Sequence, residues 1–125
     1  AHVRSMAYQI AMEIHPLNNP RVTQFLTSKM DVTEAEKLHW YHHWVDVGFT
    51  ALERRLTLSE SNGRFCFGDS VSLADICLIP QVYNALRFNC PLQNYPTICA
   101  IYDHCHRIPA FVSASPETQS DYPAE

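Results

Sequence analysis

The sequence predicts an all-α fold, and three observations lead to this prediction. Apolar residues recur at steps of three and four along most of the chain, which is the spacing of one helix face. The pairs Thr33–Glu36 and Ser72–Asp75 have the spacing of a capping box at a helix start. No segment alternates between apolar and polar residues as a half-buried β-strand does. We therefore expect a helical bundle.

The first helix is predicted over about residues 2–14, where apolar residues have helical spacing. Pro16 disfavours the helical conformation of the residue before it, so we expect a break or a kink at His15. Asn19 before Pro20 is typical of an N-cap followed by proline at the first helical position, so a second helix begins there. The break leaves polar side chains and backbone amides at a helix start, where an anion binds favourably; the polar residues are His15, Asn18, Asn19 and Arg21.

A long helix is predicted from the Thr33–Glu36 box to about Leu58. Its apolar arc is broad, which indicates packing on more than one side. Gly48 inside it is less favourable than alanine by about 1 kcal/mol, so we expect a close helix contact there. A turn is predicted over residues 59–64.

Ser72 and Asp75 begin the next helix, which ends before Pro91. The Ser72 hydroxyl can accept from the amide of residue 75, and the Asp75 carboxylate can accept from the amide of residue 72. Val71 and Ile76 flank the box where a hydrophobic staple would lie, and the apolar surroundings predict that the box is buried. The core face is expected to carry Leu73, Ile76, Cys77, Pro80, Tyr83 and Asn84.

Two shorter helices complete the predicted domain. One begins after Tyr95 and runs to about Cys105, and the last begins at Pro109. The remaining sequence is polar and contains proline, so we expect it to be extended or loose. The domain accordingly covers residues 1–114, and residues 115–125 form a polar tail.

Composition limits the classes of function. The chain has 125 residues, 46% of them apolar and 18% charged, which is the balance of one globular domain. Its net charge of −4 gives no reason to expect nucleic acid or an anionic membrane as a partner, and no apolar run is long enough for a bilayer span. Five cysteines without metal or disulfide spacing favour reduced thiols and a cytoplasmic location. Because the chain opens on Ala1 and enters a helical pattern at once, we expect a fragment or a processed form.

Four polar residues are candidates for binding small molecules. The guanidinium groups of Arg21 and Arg87 can each pair bidentately with a carboxylate, and two of them in one cleft would suit a dicarboxylate. The alternative is that both arginines are solvated surface residues. His15 and Asn19 could hold a peptide carboxylate. The alternative for Asn19 is that it only caps its helix, and for His15 that it satisfies the interrupted backbone.

Two histidine-containing clusters do not have the pattern of a metal site. His39 and His43 are one helical turn apart, but no glutamate follows His39 and no third ligand is evident. Tryptophans beside them favour a packed face instead. In the stretch 99–106, Cys105 falls in the apolar phase of its helix and is expected in the core. No metal site and no cysteine nucleophile is therefore predicted.

Two separate motifs resemble a known family. The stretch 68–88, GDSVSLADICLIPQVYNALRF, is similar to the capping-box region of the helical C-terminal domain of glutathione transferases, and its second half resembles the zeta class, the maleylacetoacetate and maleylpyruvate isomerases. The stretch 15–22, HPLNNPRV, resembles the same class, as does YPTI at 95–98. The resemblance runs from about Arg4 to the tail.

The resemblance implies a glutathione transferase C-terminal-like bundle and assigns roles to the candidates. Glutathione would be the cofactor, approached by His15, Asn19 and Arg21, and Arg21 and Arg87 would line the pocket for a dicarboxylate substrate. Pro20 stands where family members vary. Zeta-class enzymes also carry an N-terminal thioredoxin-like domain that activates the glutathione thiol, and its motif is not in these residues, so no catalytic residue is expected in this chain.

The implied function is the helical half of a glutathione-dependent cis–trans isomerase. It would convert maleylacetoacetate or maleylpyruvate to the fumaryl isomer in tyrosine, phenylalanine or aromatic-compound catabolism, as a cytoplasmic homodimer when complete. One alternative keeps the fold but changes the reaction to glutathione conjugation or haloacid dehalogenation. Another is a non-catalytic assembly module like those on translation factors and synthetases, which would not need the polar group of His15, Asn19, Arg21 and Arg87.

Overall fold

A computed structural model describes residues 1–59 and 61–123, and all regular structure in this part is helical, as predicted. The first helix has three successive parts: α1 (His2–Tyr8), a π-helical segment (Gln9–Ile14) and α2 (His15–Asn18). The other helices are α3 (Pro20–Lys29), α4 (Glu34–Leu58), α5 (Leu73–Arg87), α6 (Pro96–Cys105) and α7 (Pro109–Ser113), followed by a 3₁₀ turn (Pro116–Thr118).

The first helix continues further than predicted. It does not break at His15 but runs through Pro16 into α2, and the chain turns only at Asn19, whose ψ is 140°. In the π segment the hydrogen bonds reach back five residues, so that the amide of His15 donates to the carbonyl of Ile10. Pro16 has no amide hydrogen, and it is tolerated because it lies in the first turn after this change of register. A break or a kink was expected at His15; the helix instead changes its hydrogen-bond register there and ends about one turn later, at Asn18.

The predicted caps of α3 and α4 are confirmed. The side-chain oxygen of Asn19 accepts from the amide of Arg21 at 3.0 Å. At the start of α4, Thr33 Oγ1 accepts from the amide of Glu36 at 3.2 Å, and Glu36 Oε2 accepts from the amide of Thr33 at 2.9 Å. The hydrogen bonds that the Glu36 carboxylate accepts from the amide and the hydroxyl of Thr33, the amide foremost, lower the pKa of this exposed carboxyl. Both helices thus begin where the sequence places them.

One core fills the space between the first helix, α4, α5 and α6. Its largest fully buried side chain is Phe49 of α4, which the sequence reasoning did not assign to the core. Gly48 beside it marks the close contact that was predicted, because an added Cβ would lie 2.4 Å from Cγ1 of Ile14. The other fully buried large apolar side chains are Met6, Ile10, Ile14, Val45, Leu52, Leu56, Leu78, Val82, Ile98 and Ile101.

The capping box of α5 is confirmed and buried. Asp75 has no exposed surface, and one carboxylate oxygen accepts from the amide of Cys66 at 2.7 Å. The other oxygen accepts from the amide and the hydroxyl of Ser72 at 2.8 and 2.7 Å. Asp75 therefore ties the preceding loop to the helix start. Val71 and Ile76 remain 42% and 55% exposed, so the flanking apolar pair lies outside the core.

The prediction of which face of α5 enters the core is wrong. Leu73 and Ile76 are at least half exposed, and Pro80 is exposed as well. The buried face instead carries Ala74, Asp75, Leu78, Ile79, Gln81, Val82 and Ala85. The α5 sequence is apolar on two faces, so helical periodicity does not decide between them. The face that was predicted as core borders a cavity described below.

Residues 115–123 are more ordered than predicted. They contain the 3₁₀ turn, and the Thr118 hydroxyl donates to the carbonyls of Ser113 and Ser115 at 2.9 and 2.8 Å. The tail is therefore a hydrogen-bonded turn over this range rather than an extended strand. The predicted turn over residues 59–64 includes residue 60, which lies outside the described residues; Gly63 within it has a φ of +76°.

Candidate functional site

A cavity of about 320 Å³ lies between the start of α3, the first turns of α4 and the last turns of α5. We call it the amide cavity, because three side-chain amides line it. Its lining residues are Asn18, Pro20, Thr23, Gln24, Lys37, Leu38, Tyr41, Asn84, Arg87 and Phe88.

Arg87 lies in the last turn of α5, where the helix dipole favours a cation. The helix ends in a Schellman motif: the amide of Cys90 donates to the carbonyl of Ala85 at 2.9 Å, and that of Asn89 to Leu86 at 3.0 Å. Asn89 has the positive φ, +55°, that this motif requires. The backbone that carries Arg87 is therefore fixed by local hydrogen bonds.

Contacts from α4 hold this end of α5 in place. The rings of Tyr41 and Phe88 stack at a centroid distance of 4.3 Å, and a ring nitrogen of His42 lies 2.7 Å from the Phe88 carbonyl oxygen. Tyr41 is almost fully buried, and burial raises the pKa of its phenol well above the usual range; Cys90 adds to this, and Arg87 acts in the opposite direction. The guanidinium of Arg87 thus lies close enough to Tyr41 to influence the pKa of its phenol.

Asn18 ends α2 and faces the cavity from the opposite side. Its side chain is 6% exposed, and its Nδ2 makes no hydrogen bond with any residue in the described part of the chain. The adjacent backbone is held, because Trp40 Nε1 donates to the carbonyl of Leu17 at 2.8 Å. Asn18 therefore places a buried, unpaired amide nitrogen beside the cavity.

The charge of the cavity is positive. Arg87 and Lys37 line it, and no carboxylate does so among the described residues. Lys37 forms an ion pair with Glu34 at the surface. Arg87 has no ion pair within residues 1–59 and 61–123, so its donors are available to a ligand. Such a lining suits an oxyanion.

A second cavity, of about 420 Å³, lies on the other side of Arg87 and Asn84. We call it the tail cavity, because residues 114–116, 122 and 123 close one side of it. Its other lining residues are Ile76, Ile79, Pro80, Tyr83, Tyr102, His106 and Phe111. Interaction with the Glu117 side chain is the largest cause of the raised pKa of Tyr83, so this part of α5 lies near the tail.

The structure treats the four predicted ligand residues differently. Arg87 lines both cavities, whereas Arg21 is exposed and lines neither. The two arginines therefore do not line one cleft within this chain, since Arg21 is absent from both linings while Pro20 and Thr23 line the amide cavity. Asn19 caps α3 with its oxygen, and His15 is exposed.

Several residues that line the amide cavity, Asn84, Lys37 and Tyr41 among them, were not assigned a binding role from the sequence. Asn84 stands three residues before Arg87 on α5, so helical spacing could have placed it beside the arginine. Lys37 and Tyr41 come from α4, and no local signal connects them with α5. The unpaired state of Asn18 depends on tertiary packing, which a sequence pattern does not contain.

The clusters considered for metal binding have packing roles. No group of three or more His, Cys, Asp or Glu side chains that could hold a metal ion occurs within the described residues. His43 packs on Trp44 at a centroid distance of 4.8 Å, and Trp44 packs on Trp40 at 5.7 Å. Cys105 is buried in the core, as predicted, and burial raises its pKa to about 11. None of the helices in the described part has the length and apolarity that crossing a membrane requires.

Known proteins give an independent comparison. The sequence model of the glutathione S-transferase C-terminal domain matches residues 17–113. A probable maleylacetoacetate isomerase of Vibrio cholerae is 46% identical over 119 residues, which cover 95% of this chain and 54% of the relative. This chain thus spans about half the length of that relative.

Two solved structures are also similar. A maleyl pyruvate isomerase, described as a bacterial glutathione S-transferase of the zeta class, superposes with a TM-score of 0.94 at 38% identity, over 98% of this chain and 57% of that one. A maleylacetoacetate isomerase from Methylobacterium extorquens, solved with bound malonate and glutathione, superposes with a TM-score of 0.91 at 34% identity. The match covers 98% of this chain and 57% of that one. The chain therefore belongs to the glutathione S-transferase family as a C-terminal helical domain, in the zeta-class branch.

Proposed function

We propose that this chain is the helical half of a glutathione-dependent cis–trans isomerase that converts a maleyl keto acid, maleylacetoacetate or maleylpyruvate, to its fumaryl isomer. The observation that carries the proposal is Arg87, a cation without an ion pair in the described residues, between two cavities that no carboxylate lines. The identity of the chain to relatives that bear these isomerase names supports it. We further propose a cytoplasmic homodimer in which a thioredoxin-like domain completes each subunit.

The residues near the start of α3 are compatible with bound glutathione. Asn19 uses its oxygen to cap α3, which leaves its Nδ2 as a donor. His15 and Arg21 are exposed beside it, and Arg21 has no ion pair within the described residues. These donors suit the carboxylates of an anionic tripeptide. We therefore propose that His15, Asn19 and Arg21 hold glutathione.

Glutathione, when bound, supplies a thiolate that adds reversibly to the conjugated double bond and so permits rotation about it. The contribution of this chain is binding and charge stabilisation. Arg87 would hold one carboxylate of the substrate in a fixed position, and its positive charge would favour the negative charge that develops on the conjugated keto acid. Arg21 would contribute a second guanidinium if the complete protein brings it towards the same substrate.

The test is glutathione-dependent isomerisation of maleylacetone by this chain and by the longest protein that the gene encodes. We expect activity in the longer protein only. In that protein, Arg87→Ala should lower kcat/KM for the maleyl acid at least tenfold more than kcat/KM for conjugation of a neutral thiol acceptor, because only the acid carries a carboxylate. Arg107→Ala, which removes an exposed arginine outside both cavity linings, is the matched control.

The outcomes separate the alternative functions. Equal losses on both substrates would contradict the carboxylate role of Arg87. Conjugation or dehalogenation without isomerisation would move the assignment to another transferase activity. A longer protein that neither isomerises maleylacetone nor binds glutathione would leave the assembly module as the better interpretation.

A further inference from the structure

We propose that His42 is a positioning residue for the maleyl substrate. By donating a hydrogen bond to the Phe88 carbonyl, it fixes the end of α5, and with it the backbone of Arg87, relative to α4. This inference rests on the proposed function, in which Arg87 holds a carboxylate of the substrate. His42 itself lines neither cavity, so it acts through Arg87 and not by contact with the substrate.

The amide cavity has walls from two helices that are far apart in sequence. The residues that α4 and the end of α5 contribute to it are Lys37, Leu38, Tyr41, Asn84, Arg87 and Phe88. The backbones of α4 and α5 approach each other closely at few positions. The distance between these two walls therefore depends on contacts made by side chains.

The half-buried His42 makes one of these contacts. Its ring nitrogen Nε2 lies 2.7 Å from the carbonyl oxygen of Phe88, the residue that directly follows α5. A carbonyl oxygen only accepts, so the ring nitrogen donates, and a neutral ring with its proton on Nε2 can do this as well as a protonated ring. Carbonyls at the end of a helix have no partner within the helix, so the bond also satisfies one of them. His42 thus joins α4 to the residue after Arg87.

The neighbouring residue of α4 holds the other part of Phe88. The rings of Tyr41 and Phe88 stack at a centroid distance of 4.3 Å with an angle of 25° between their planes. Consecutive residues of α4 therefore bind both the ring and the carbonyl of Phe88. The Schellman motif fixes the end of α5 within itself, whereas these two contacts fix it relative to α4.

The position of Arg87 depends on this anchor. Its guanidinium has no ion pair within residues 1–59 and 61–123, so no carboxylate of the described chain holds it in place. A displacement of the end of α5 would therefore move the arginine donors relative to the α4 wall. Pairing with a carboxylate depends on geometry, and a misplacement of about 1 Å can lower a rate about 10²-fold. A neutral substrate has no carboxylate and would not be affected in this way.

The experiment compares His42→Asn with His42→Gln in the longest protein that the gene encodes. The amide nitrogen of glutamine can take the place of the ring Nε2, whereas that of asparagine is one methylene shorter and does not reach the Phe88 carbonyl. We expect His42→Asn to lower kcat/KM for maleylacetone about five- to tenfold more than kcat/KM for conjugation of a neutral thiol acceptor. His42→Gln should stay within about twofold of wild type on both substrates, because it keeps the donor.

Two further comparisons keep the test decisive. His39→Asn makes the same chemical change at an exposed histidine of α4 outside both cavity linings, and both activities should equal those of wild type. In an Arg87→Ala background, His42→Asn should change kcat/KM for maleylacetone less than about twofold, because its effect passes through the arginine. Additive losses in this cycle, equal losses on both substrates in His42→Asn, or no recovery in His42→Gln would overturn the inference and leave His42 a structural role only.

Failure of this inference is distinguishable from failure of the proposed function. An active isomerase whose preference between the two substrates does not respond to His42→Asn would refute the role of His42 alone. If the wild-type protein does not isomerise maleylacetone, the proposed reaction fails, and calorimetric titration of malonate gives a second measurement. A malonate Kd that rises about fivefold in His42→Asn but not in His42→Gln would then retain the positioning role. A wild-type protein that neither isomerises maleylacetone nor binds malonate would overturn both proposals.

Discussion

Glu53 belongs to α4 but stabilises the start of α6. Its side chain is 9% exposed, and its two carboxylate oxygens accept from the amides of Thr97 and Ile98 at 2.8 and 2.9 Å. These amides lie in the first turn of α6, where backbone donors have no partner within the helix. The Glu53 carboxylate thus caps α6 from a neighbouring helix, in place of a local side chain. The positive end of the α6 dipole also favours its negative charge.

Glu53→Gln tests the strength of this contact with almost no change of shape. A glutamine can accept from one amide through its oxygen, but its NH₂ group faces the other amide and leaves that donor unpaired. Hydrogen bonds to charged groups contribute about 1.5–3 kcal/mol, and an unsatisfied buried donor costs about 1–3 kcal/mol. Because both oxygens of Glu53 are used, we expect the free energy of unfolding to fall by about 2–3 kcal/mol.

Urea unfolding followed by circular dichroism measures this change. With a slope of about 2 kcal/mol per M, a loss of about 2 kcal/mol moves the midpoint down by about 1 M. Glu13→Gln is the matched control, because it makes the same chemical change at an exposed glutamate. If both variants shift the midpoint equally, or if Glu53→Gln is within about 0.5 kcal/mol of wild type, the cap contributes little and the reasoning is refuted.

Two further predictions concern the core. Gly48→Ala should destabilise the chain by about 1–3 kcal/mol despite the better helix propensity of alanine, because the new methyl group would meet Cγ1 and Cδ1 of Ile14 at 2.4 and 2.6 Å. A urea double-mutant cycle with Ile14→Ala checks this, and additive effects would contradict the steric explanation. Burial raises the pKa values of Cys90 and Cys105 from 9.0 to about 11. Between these pH values the thiols ionise more readily in the unfolded chain than in the folded one. Their contribution to stability should therefore be present below pH 9 and be lost as the pH rises towards 11. Under reducing conditions, the free energy of unfolding should therefore fall less steeply between pH 9 and 11 in Cys105→Ala than in wild type. Parallel plots of this free energy against pH for the two proteins would contradict the prediction.

Local signals predicted most of the helix starts. Thr33–Glu36, Ser72–Asp75 and Asn19 each contain their own capping partners within three residues, so the sequence carries the complete interaction. The cap of α6 could not be found in this way, because its acceptor lies more than forty residues earlier in the chain. Local patterns find contacts that are near in sequence, and tertiary contacts need the fold.

The same distinction explains the errors in the helices. Pro16 has a local preference against helix in the preceding residue, but the change to π-helical hydrogen bonds allows the helix to pass through it. On α5, Leu73 and Ile76 have the helical spacing of core residues, but the side chains that are buried lie on another face of the helix. In both cases the alternative local structures differ little in intrinsic propensity, so tertiary packing determines which one forms.

The candidate site shows how far residue types can predict function. Arg87 was predicted to bind a carboxylate from its chemistry and from family resemblance, and the structure supplies a reason that neither contained: the guanidinium has no ion pair in the described chain and lies between two cavities. Asn18 was grouped with Asn19 as a polar residue at a helix start where an anion could bind, but no sequence pattern shows that its amide nitrogen is buried and unpaired. Asn19, the next residue, takes the capping role.

This division between Asn18 and Asn19 connects the fold with the proposed chemistry. Asn19 caps the first turn of α3, whereas the Nδ2 of Asn18 has no hydrogen-bond partner among the described residues. The Schellman motif of α5 and the stacking of Tyr41 on Phe88 fix the opposite wall. The backbone that carries Arg87 is therefore held by contacts that do not involve a ligand, which is the condition for binding a carboxylate without reorganisation. In this arrangement, the helix ends are stabilised separately so that the polar groups between them can remain unpaired.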